Sequence, residues 1–315
     1  MEPISHRHFS TAERLFKALG VNCPPWHEER HFWVFRGLAD DSYNLIPSAL
    51  RDNPPADLGY TAHPKRGVQA TNEAQIEAEF ERLHEFFWAA DAQGLSIPGD
   101  AHLLRTPKSW ESLRADIYRE CWPPSELLPL AALAQHYGVA TRLLDWTDKP
   151  LVAAYFAAKG AAEKAKTAKT TKRQRRLAIW GLNLDWVVHT GWPGSKTPKL
   201  AVYVVTAPRA SNPNLHAQGG IFTAEMLTRY RFSSKTTVRS VDQLVLEKWN
   251  RKRHSVPIMC HFTLPWDQAG HLLRLLYQEK LCAATIYPGY QGVAESLRER
   301  NLWDRSERST FWLPP

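Results

Sequence analysis

The residues that could do chemistry are concentrated in one segment, residues 127–158. An apolar run there is interrupted by charged, polar and aromatic side chains, namely Gln135, His136, Tyr137, Arg142, Asp145, Trp146 and Thr147. Removing an isolated charge from water is prohibitively costly, so each buried charge needs a partner or a ligand. We therefore expect the functional site in this segment.

Arg36 is a further candidate for ligand binding. It stands beside Gly37 at the end of residues 31–35, an aromatic and β-branched run that predicts a strand. In one interpretation, the Arg36 guanidinium neutralises a buried carboxylate, for which Asp145 is the candidate. In the other, its planar fork grips a pyrophosphate while Gly37 lets the backbone approach the ligand. A fixed cation beside a residue without a side chain favours the second interpretation.

Arg142 and Asp145 are separated by two apolar residues within the segment. Either they form an ion pair that fixes the local backbone, or Asp145 orients Arg142 or Arg36 toward a ligand. The neighbouring aromatic and hydroxyl residues are typical of packing and capping, but they could also stack on a ring or hydrogen-bond a ribose. These residues are His136, Tyr137, Trp146 and Thr147.

Two polar candidates lie further along the chain. Gln218 precedes Gly219 and Gly220, a pair typical of a turn, and its amide could hydrogen-bond a ribose hydroxyl. An amide cannot act as a general base. Glu225 is the nearest carboxylate, and it could take that role if the loop folds back toward the site.

Residues 27–31 have the H-E-x-x-H spacing of zinc proteases. That chemistry needs both histidines on one face of a stable helix, but Pro24 and Pro25 lie just upstream and the predicted strand begins at His31. The four cysteines are scattered and form no CxxC pair. We therefore expect no metal site. Glycine-rich nucleotide-binding and hydrolase motifs are also absent from the sequence.

The chain has a formal net charge of +8, and much of the excess lies in residues 159–176. The simpler interpretation is a solvated surface loop. The alternative is an arm that contacts nucleic-acid phosphates through Lys164, Lys166, Lys169, Lys172, Arg173, Arg175 and Arg176. No apolar run reaches the roughly 18 residues of a membrane span, and no N-terminal apolar leader is visible. We expect a soluble, cytoplasmic protein that does not engage a membrane.

Helical patterns dominate the first half of the chain, whereas short β-branched runs interleave with helices in the second half. This order predicts an α+β domain with a helical N-terminal half and mixed or antiparallel sheets around a central cleft. We expect a short helix that ends at residue 18. Further helices are expected over about 73–90, 126–137, 150–162, 241–253, 266–279 and 290–300. Strands are expected over 31–35, 177–182, 201–206, 258–264 and 283–287. Residues 1–30 are expected to be a helical extension of a domain covering 31–315, with a basic insert at about 159–176.

Several of these motifs together resemble the FRG domain family. Its name-giving motif stands here as Phe35-Arg36-Gly37. The most specific similarity is the block from Gln135 to Ala157, QHYGVATRLLDWTDKPLVAAYFA. Residues 45–51, 218–223 and 286–297 are also similar to the family. Ala140, where the family often carries proline, and the basic insert depart from the family pattern.

A more distant resemblance is to Arg-type ADP-ribosyltransferases. An aromatic residue followed by Arg36 and Gly37 is similar to their first motif, whose arginine meets the phosphates or ribose of NAD. Thr147 followed by the helical residues 152–157 resembles their second motif. Their third motif supplies a glutamate, and the matching place here holds Gln218, with Glu225 as the nearest acid. This resemblance implies an ADP-ribosyltransferase-like fold with NAD as its ligand.

The leading hypothesis is an effector, such as a toxin or phage-defence protein, that binds NAD and transfers or cleaves at the nicotinamide–ribosyl bond. Arg36 would hold phosphate, Thr147 would position the ribose, and Tyr137 or Trp146 would stack on a ring. Glu225, or else Gln218, would act at the ribose. Two alternatives stay open: a nucleic-acid-binding or nuclease-like effector that does not use NAD, and a ligand-sensing module without turnover.

Overall fold

The computed structural model describes residues 2–20, 32–51, 71–97, 104–119, 121–167, 175–191, 202–210, 212–228, 231, 238–248 and 257–303. The strands are β1 (Ile4–His8), β2 (Trp33–Leu38), β3 (Cys121–Trp122), β4 (Leu143–Thr147), β5 (Arg176–Asn183), β6 (Val202–Val205), β7 (Gly220–Glu225), β8 (Leu227–Thr228) and β9 (Met259–Pro265). Seven of them form one sheet in the order β1-β9-β5-β2-β4-β7-β6. Only the β1–β9 pair in this sheet is parallel. The sheet is therefore mixed, as the sequence predicted.

The helices surround this sheet. They are α1 (Ala12–Ala18), α2 (Asn72–Ala92), α3 (Pro107–Arg119), α4 (Leu128–His136), α5 (Pro150–Thr167), α6 (Leu184–Gly191), α7 (Pro213–Gln218), α8 (Val241–Lys248), α9 (Ala269–Gln278), α10 (Ala283–Ile286) and α11 (Tyr290–Glu299). The α+β class expected from the sequence is confirmed, since helices surround one mixed seven-stranded sheet. Within the described ranges, no helix has both the length and the apolar character needed to cross a membrane.

The helix α5 is the element that fixes the middle of the sheet. Its alanine-rich face, including Ala153 and Ala157, is buried in a core that also contains Phe35 of β2 and Phe262 of β9. A β-carbon on Gly37 would lie 1.9 Å from the carbonyl oxygen of Ala153, so α5 rests directly on the β2 backbone. Gly37 is thus required for helix–strand packing, which differs from the ligand-approach role expected for it.

Two local expectations were wrong. Residues 283–287 were expected to form a strand but contain α10, whose first turn is closed by a capping box between Cys282 and Thr285. Arg36 and Gly37 were expected at the end of a strand, but both lie inside β2, which pairs with β5 along its whole length. The strand β4 (Leu143–Thr147) was not predicted from the sequence.

The N-terminal residues do not form a separate helical extension. β1 pairs with β9 in parallel register from Ile4 to His8, and α1 packs against α9 and β9. β1 therefore forms one edge of the main sheet, and α1 packs beside it. The H-E-x-x-H segment lies outside the described residues.

The first part of the basic insert is helical, which differs from the expected loop. α5 continues to Thr167, and Lys164 donates a hydrogen bond to the Tyr43 hydroxyl at 2.5 Å. Lys166 donates to the carbonyl oxygen of Asn301 at 2.7 Å. Arg176 belongs to β5. Arg175 Nη1 lies 3.7 Å from Asp40 Oδ2. The other predicted phosphate contacts, at Lys169, Lys172 and Arg173, lie outside the described residues.

The close contact between α5 and β2 leads to a stability prediction. Gly37→Ala places a methyl group against the Ala153 carbonyl, so we expect the free energy of unfolding to fall by about 1–3 kcal/mol or more. Gly181→Ala is the matched control, because its β-carbon would meet only side-chain atoms at 3.4 Å or beyond. Urea unfolding should show a change within about 1 kcal/mol for this control. Equal effects of both substitutions would contradict the packing argument.

Candidate functional site

A cavity of about 360 Å³ opens where β2, β4 and β7 meet α4, α5 and α7. Five of the predicted site residues line it from the strands: Arg36, Gly37, Asp145, Trp146 and Thr147. Three more line it from the ends of α4 and α7: His136, Tyr137 and Gln218. A volume of this size lies in the range of small-molecule sites, about 300–1,000 Å³.

The cavity exists because the sheet opens between β2 and β4. These strands pair only through Phe35 and Thr147, whereas β2 pairs with β5 over six residues. Arg36 reaches across the opening, and its Nη1 donates to the Asp145 carbonyl oxygen at 2.8 Å and to Asp145 Oδ2 at 3.2 Å. The guanidinium thus satisfies a backbone acceptor at the point where the strands separate.

The Arg36–Asp145 ion pair faces the cavity. The Arg36 side chain is 15% exposed and that of Asp145 is 44% exposed, so the carboxylate is accessible to a ligand. Arg36 Nε is buried and has no acceptor among the described residues. A buried donor without a partner costs free energy unless a ligand or water supplies the acceptor. Both interpretations of Arg36 are therefore compatible with its position: it pairs with Asp145, and it does so in an open site.

Gln135 holds the carboxylate from the other side. Its Nε2 lies 3.3 Å from Asp145 Oδ2, while its Oε1 accepts hydrogen bonds from Ser48 Oγ at 3.1 Å and Thr141 Oγ1 at 2.8 Å. The sequence placed Gln135 in the functional segment without assigning it a role. Its position at the C-terminal end of α4, one residue before His136, was the available signal.

His136 also lies at the end of α4 and lines the cavity. Burial lowers the pKa of His136 below its ordinary value, and the nearby Asp145 carboxylate opposes this shift only in part. The imidazole is therefore neutral at pH 7 and can donate or accept a proton. Tyr137 packs edge-on against it, with ring centroids 5.3 Å apart, and is 59% exposed.

The opposite wall is aromatic. Phe156 of α5 and Tyr287, which follows α10, form an edge-to-face pair with centroids 6.4 Å apart. Burial raises the pKa of Tyr287, so its hydroxyl stays protonated at neutral pH. Neither residue was selected from the sequence, because Tyr287 was assigned to a strand and Phe156 to a packing helix.

Trp146 and Thr147 have structural partners. Trp146 is 3% exposed, and its indole N–H donates to Thr223 Oγ1 at 2.8 Å. The Thr147 hydroxyl donates to the Gln218 carbonyl oxygen at 2.5 Å and accepts from the Lys149 amide at 3.1 Å. These bonds attach α7 to the turn between β4 and α5. The capping interpretation of Thr147 therefore describes its contacts better than ribose positioning does.

Gln218 lies at the end of α7, and the Gly219 that follows it ends the helix in a left-handed conformation with φ of 61°. A β-carbon on Gly219 would lie 2.0 Å from Asp148 Oδ1, so the position also needs glycine for space. The side chain of Gln218 donates weakly to the Ile286 carbonyl oxygen at 3.4 Å. The two glycines therefore form the turn that ends α7 and leads into β7.

Arg142 does not reach the cavity. It makes two hydrogen bonds to Glu79 of α2, from Nε at 3.0 Å and from Nη2 at 2.9 Å, and both side chains are buried. The Glu79 carboxylate also accepts hydrogen bonds from Trp122 Nε1 at 2.6 Å and from Gln75 Nε2 at 2.8 Å. The expected pair of Arg142 with Asp145 and its expected ligand contact are both replaced by this interior ion pair.

Glu225 is also distant from the cavity. It ends β7, whereas Gln218 precedes the beginning of that strand. Its Oε1 accepts hydrogen bonds from Arg231 at 2.8 Å and Arg239 at 2.5 Å, and it is 6% exposed. This arrangement leaves Asp145 as the acidic side chain that lines the cavity within the described part of the chain. No group of three or more His, Cys, Asp or Glu among those residues is placed to hold a metal ion.

These features define a mixed α/β domain with a polar cavity at an opening in its central sheet. The family model of the FRG domain matches residues 31–166, so this chain carries an FRG domain. That range includes β2, α4, β4 and α5, which supply most of the cavity. No curated protein and no solved structure matches the chain significantly. The similarities at residues 218–223 and 286–297 lie beyond the matched range and remain predictions.

The buried Arg142–Glu79 pair leads to a second prediction. Glu79→Gln leaves the Arg142 charge without a carboxylate in the interior, so we expect the free energy of unfolding to fall by about 3–5 kcal/mol. Glu85→Gln on the same helix removes an ion pair to Arg82 in which the glutamate side chain is 59% exposed. For this control, chemical denaturation should show a loss in the free energy of unfolding of less than about 1 kcal/mol. Comparable losses of stability in Glu79→Gln and Glu85→Gln would mean that burial does not determine the contribution of the Arg142–Glu79 pair.

The environment of His136 leads to a third prediction. Burial disfavours the charged imidazole, so side-chain NMR titration should give a pKa below the ordinary value of about 6.5. Because Asp145 stabilises the charged form, Asp145→Asn should lower this pKa further. The signal is assigned with His136→Gln. A pKa above the ordinary value, or a rise in Asp145→Asn, would contradict the arrangement. The contribution of His136 to the free energy of unfolding should decline as pH falls below about 6.5, because its imidazole binds the proton more tightly in the unfolded chain.

Proposed function

We propose that the cavity binds NAD and that the protein acts as an effector which cleaves or transfers at the nicotinamide–ribosyl bond. The observation that carries this proposal is the position of Arg36 and Asp145 together at the opening between β2 and β4. Arg36 supplies a cation that can bind a pyrophosphate, and Asp145 supplies an accessible carboxylate that can stabilise a ribosyl cation. The implied likeness to ADP-ribosyltransferases agrees with this pairing.

Arg36 is the phosphate-binding residue in this proposal. Its Nη1 is used by Asp145, but its buried Nε has no acceptor among the described residues. A phosphate oxygen would satisfy that donor, and the fixed fork geometry suits an oxyanion better than a lysine ammonium would. Asp145 and its bonds hold the guanidinium in place before the ligand arrives, which lowers the entropy cost of binding.

Asp145 takes the role that the sequence assigned to Glu225. When the bond between the ribose C1′ and the nicotinamide nitrogen breaks, its electron pair moves to the ring, which loses its positive charge. The ribose becomes cationic, and a carboxylate stabilises that charge. Gln135 and Arg36 both contact Asp145 and keep its carboxylate oriented.

His136 is suited to the second half of the reaction. Its imidazole is neutral at pH 7, so it can accept the proton of a water or another hydroxyl nucleophile as a bond to C1′ forms. Tyr137, Phe156 and Tyr287 provide ring faces and edges for the nicotinamide. Thr147 and Gln218 hold α7 against β4, which keeps that wall of the cavity in place.

The fourth prediction concerns NAD itself. The wild-type protein should bind NAD in isothermal titration calorimetry and release nicotinamide, detected by liquid chromatography and mass spectrometry. Arg36→Ala should weaken NAD binding by about tenfold or more, because a charge-assisted hydrogen bond contributes about 1.5–3 kcal/mol. Asp145→Asn should retain measurable binding and lose turnover by about 100-fold or more. Circular dichroism verifies that each variant is folded.

Glu225→Gln is the control variant for this experiment. Its carboxylate contacts Arg231 and Arg239 away from the cavity, so NAD binding and turnover per folded molecule should stay near the wild-type values. Binding of NAD without release of nicotinamide would support the ligand-sensing alternative. Absence of both binding and turnover would refute the proposal.

A further inference from the structure

We propose that a cationic groove formed by β1 and α1 binds the phosphate backbone of nucleic acid. This groove has a volume of about 590 Å³ and shares no lining residue with the NAD cavity proposed above. The surface and its test are therefore independent of the proposed function.

The groove brings four basic side chains together: Arg7 and His8 from β1, and Arg14 and Lys17 from α1. All four are exposed, and none of the described residues that line the groove is acidic. The neighbouring Glu13 lies 3.2 Å from His271 of α9. A concave surface with one sign of charge concentrates oppositely charged ligands.

Protection of a sheet edge does not account for this charge. β1 is the edge strand of the main sheet, and basic residues on an edge discourage pairing with another sheet. Arg14 and Lys17, however, belong to α1. Their spacing of three residues places them on one face of that helix, and they line the same groove as the strand residues.

The groove is suited to phosphates and not to bases. Phe9 is buried and Arg7 lies over its ring at 5.1 Å, so this aromatic residue does not offer a free stacking face. The guanidinium of Arg7 can still present its N–H edge to an oxyanion. Binding should therefore depend on the backbone and be largely independent of base sequence.

A membrane or a protein partner fits the groove less well. None of the large apolar side chains exposed in the described part of the chain belongs to β1 or α1, so the groove lacks a group that would enter a bilayer. Four of its seven lining residues are basic, whereas charged residues are depleted at the centre of protein interfaces. A linear polyanion is attracted by that charge.

The groove is continuous with the end of the basic insert. Arg176 donates to the carbonyl oxygen of Phe9 at 2.7 Å and to Thr263 Oγ1 at 2.8 Å. The same threonine hydroxyl lies 2.8 Å from His8 Nδ1. The chain therefore enters β5 beside the groove. The positive surface extends from α1 toward this point.

The test is fluorescence anisotropy of the full chain with labelled 20-nucleotide single-stranded RNA and duplex DNA of unrelated sequences, between 50 and 300 mM salt. Logarithmic affinity should fall linearly with logarithmic salt concentration, and unrelated sequences should bind within about threefold. The double variant Arg14→Glu/Lys17→Glu should weaken binding by about tenfold or more and reduce the salt slope by about 2. The two nucleic-acid arms show whether the backbone bound is single-stranded or duplex.

The double variant Lys108→Glu/Arg298→Glu carries the same charge change on α3 and α11 and should bind within about threefold of the wild type. If the acidic variant does not fold, Arg14→Gln/Lys17→Gln replaces it, because this variant removes the charges without reversing them. It should also bind more weakly than the wild type. Three results would overturn the proposal: no binding by wild type at 50 mM salt, equal loss in the control, or capture of inorganic polyphosphate without either nucleic acid.

Discussion

The ion pair between Arg36 and Asp145 is the interaction on which the arrangement of the site depends. A continuous sheet would satisfy the Asp145 carbonyl through its own ladder, but β2 and β4 pair at a single position. The guanidinium supplies the donor instead, and the space between the strands becomes a cavity. Replacing a backbone contact by a side-chain contact thus lets the middle of a sheet open without leaving the Asp145 carbonyl oxygen unpaired.

The rest of the site follows from how this opening is supported. α5 rests on β2 at Gly37 and holds one side, while Arg142 of the loop before β4 is fixed to α2 by its buried pair with Glu79. α7 is attached by the Thr147 hydroxyl. These contacts support the cavity: Gly37 and Thr147 belong to its walls, and the Arg142–Glu79 pair lies away from it. They explain why strongly polar residues near it have structural roles, while Asp145, His136 and Tyr137 remain accessible.

The sequence predicted the fold class, most helices and most of the cavity, because α4, β4 and α5 are consecutive and carry the key residues close together. It was less informative where partners are distant in the chain. Arg142 finds Glu79 63 residues away, a pairing that no local pattern reveals. Glu225 was chosen for its nearness to Gln218, but β7 separates them by about 17 Å at the usual rise per residue. Tyr287 was missed because a short apolar run fits both a strand and a helix.

Gln135 connects the cavity to a part of the chain that does not line it. One end of its amide meets Asp145, and the other accepts from Ser48, beside Ala49, whose carbonyl oxygen accepts from Gln75 of α2. A ligand that draws the carboxylate away would break the first of these bonds and release the amide to turn. Amide hydrogen exchange around residues 45–51 would then differ between empty and occupied protein, so occupancy of the cavity would be communicated to a segment that does not line it.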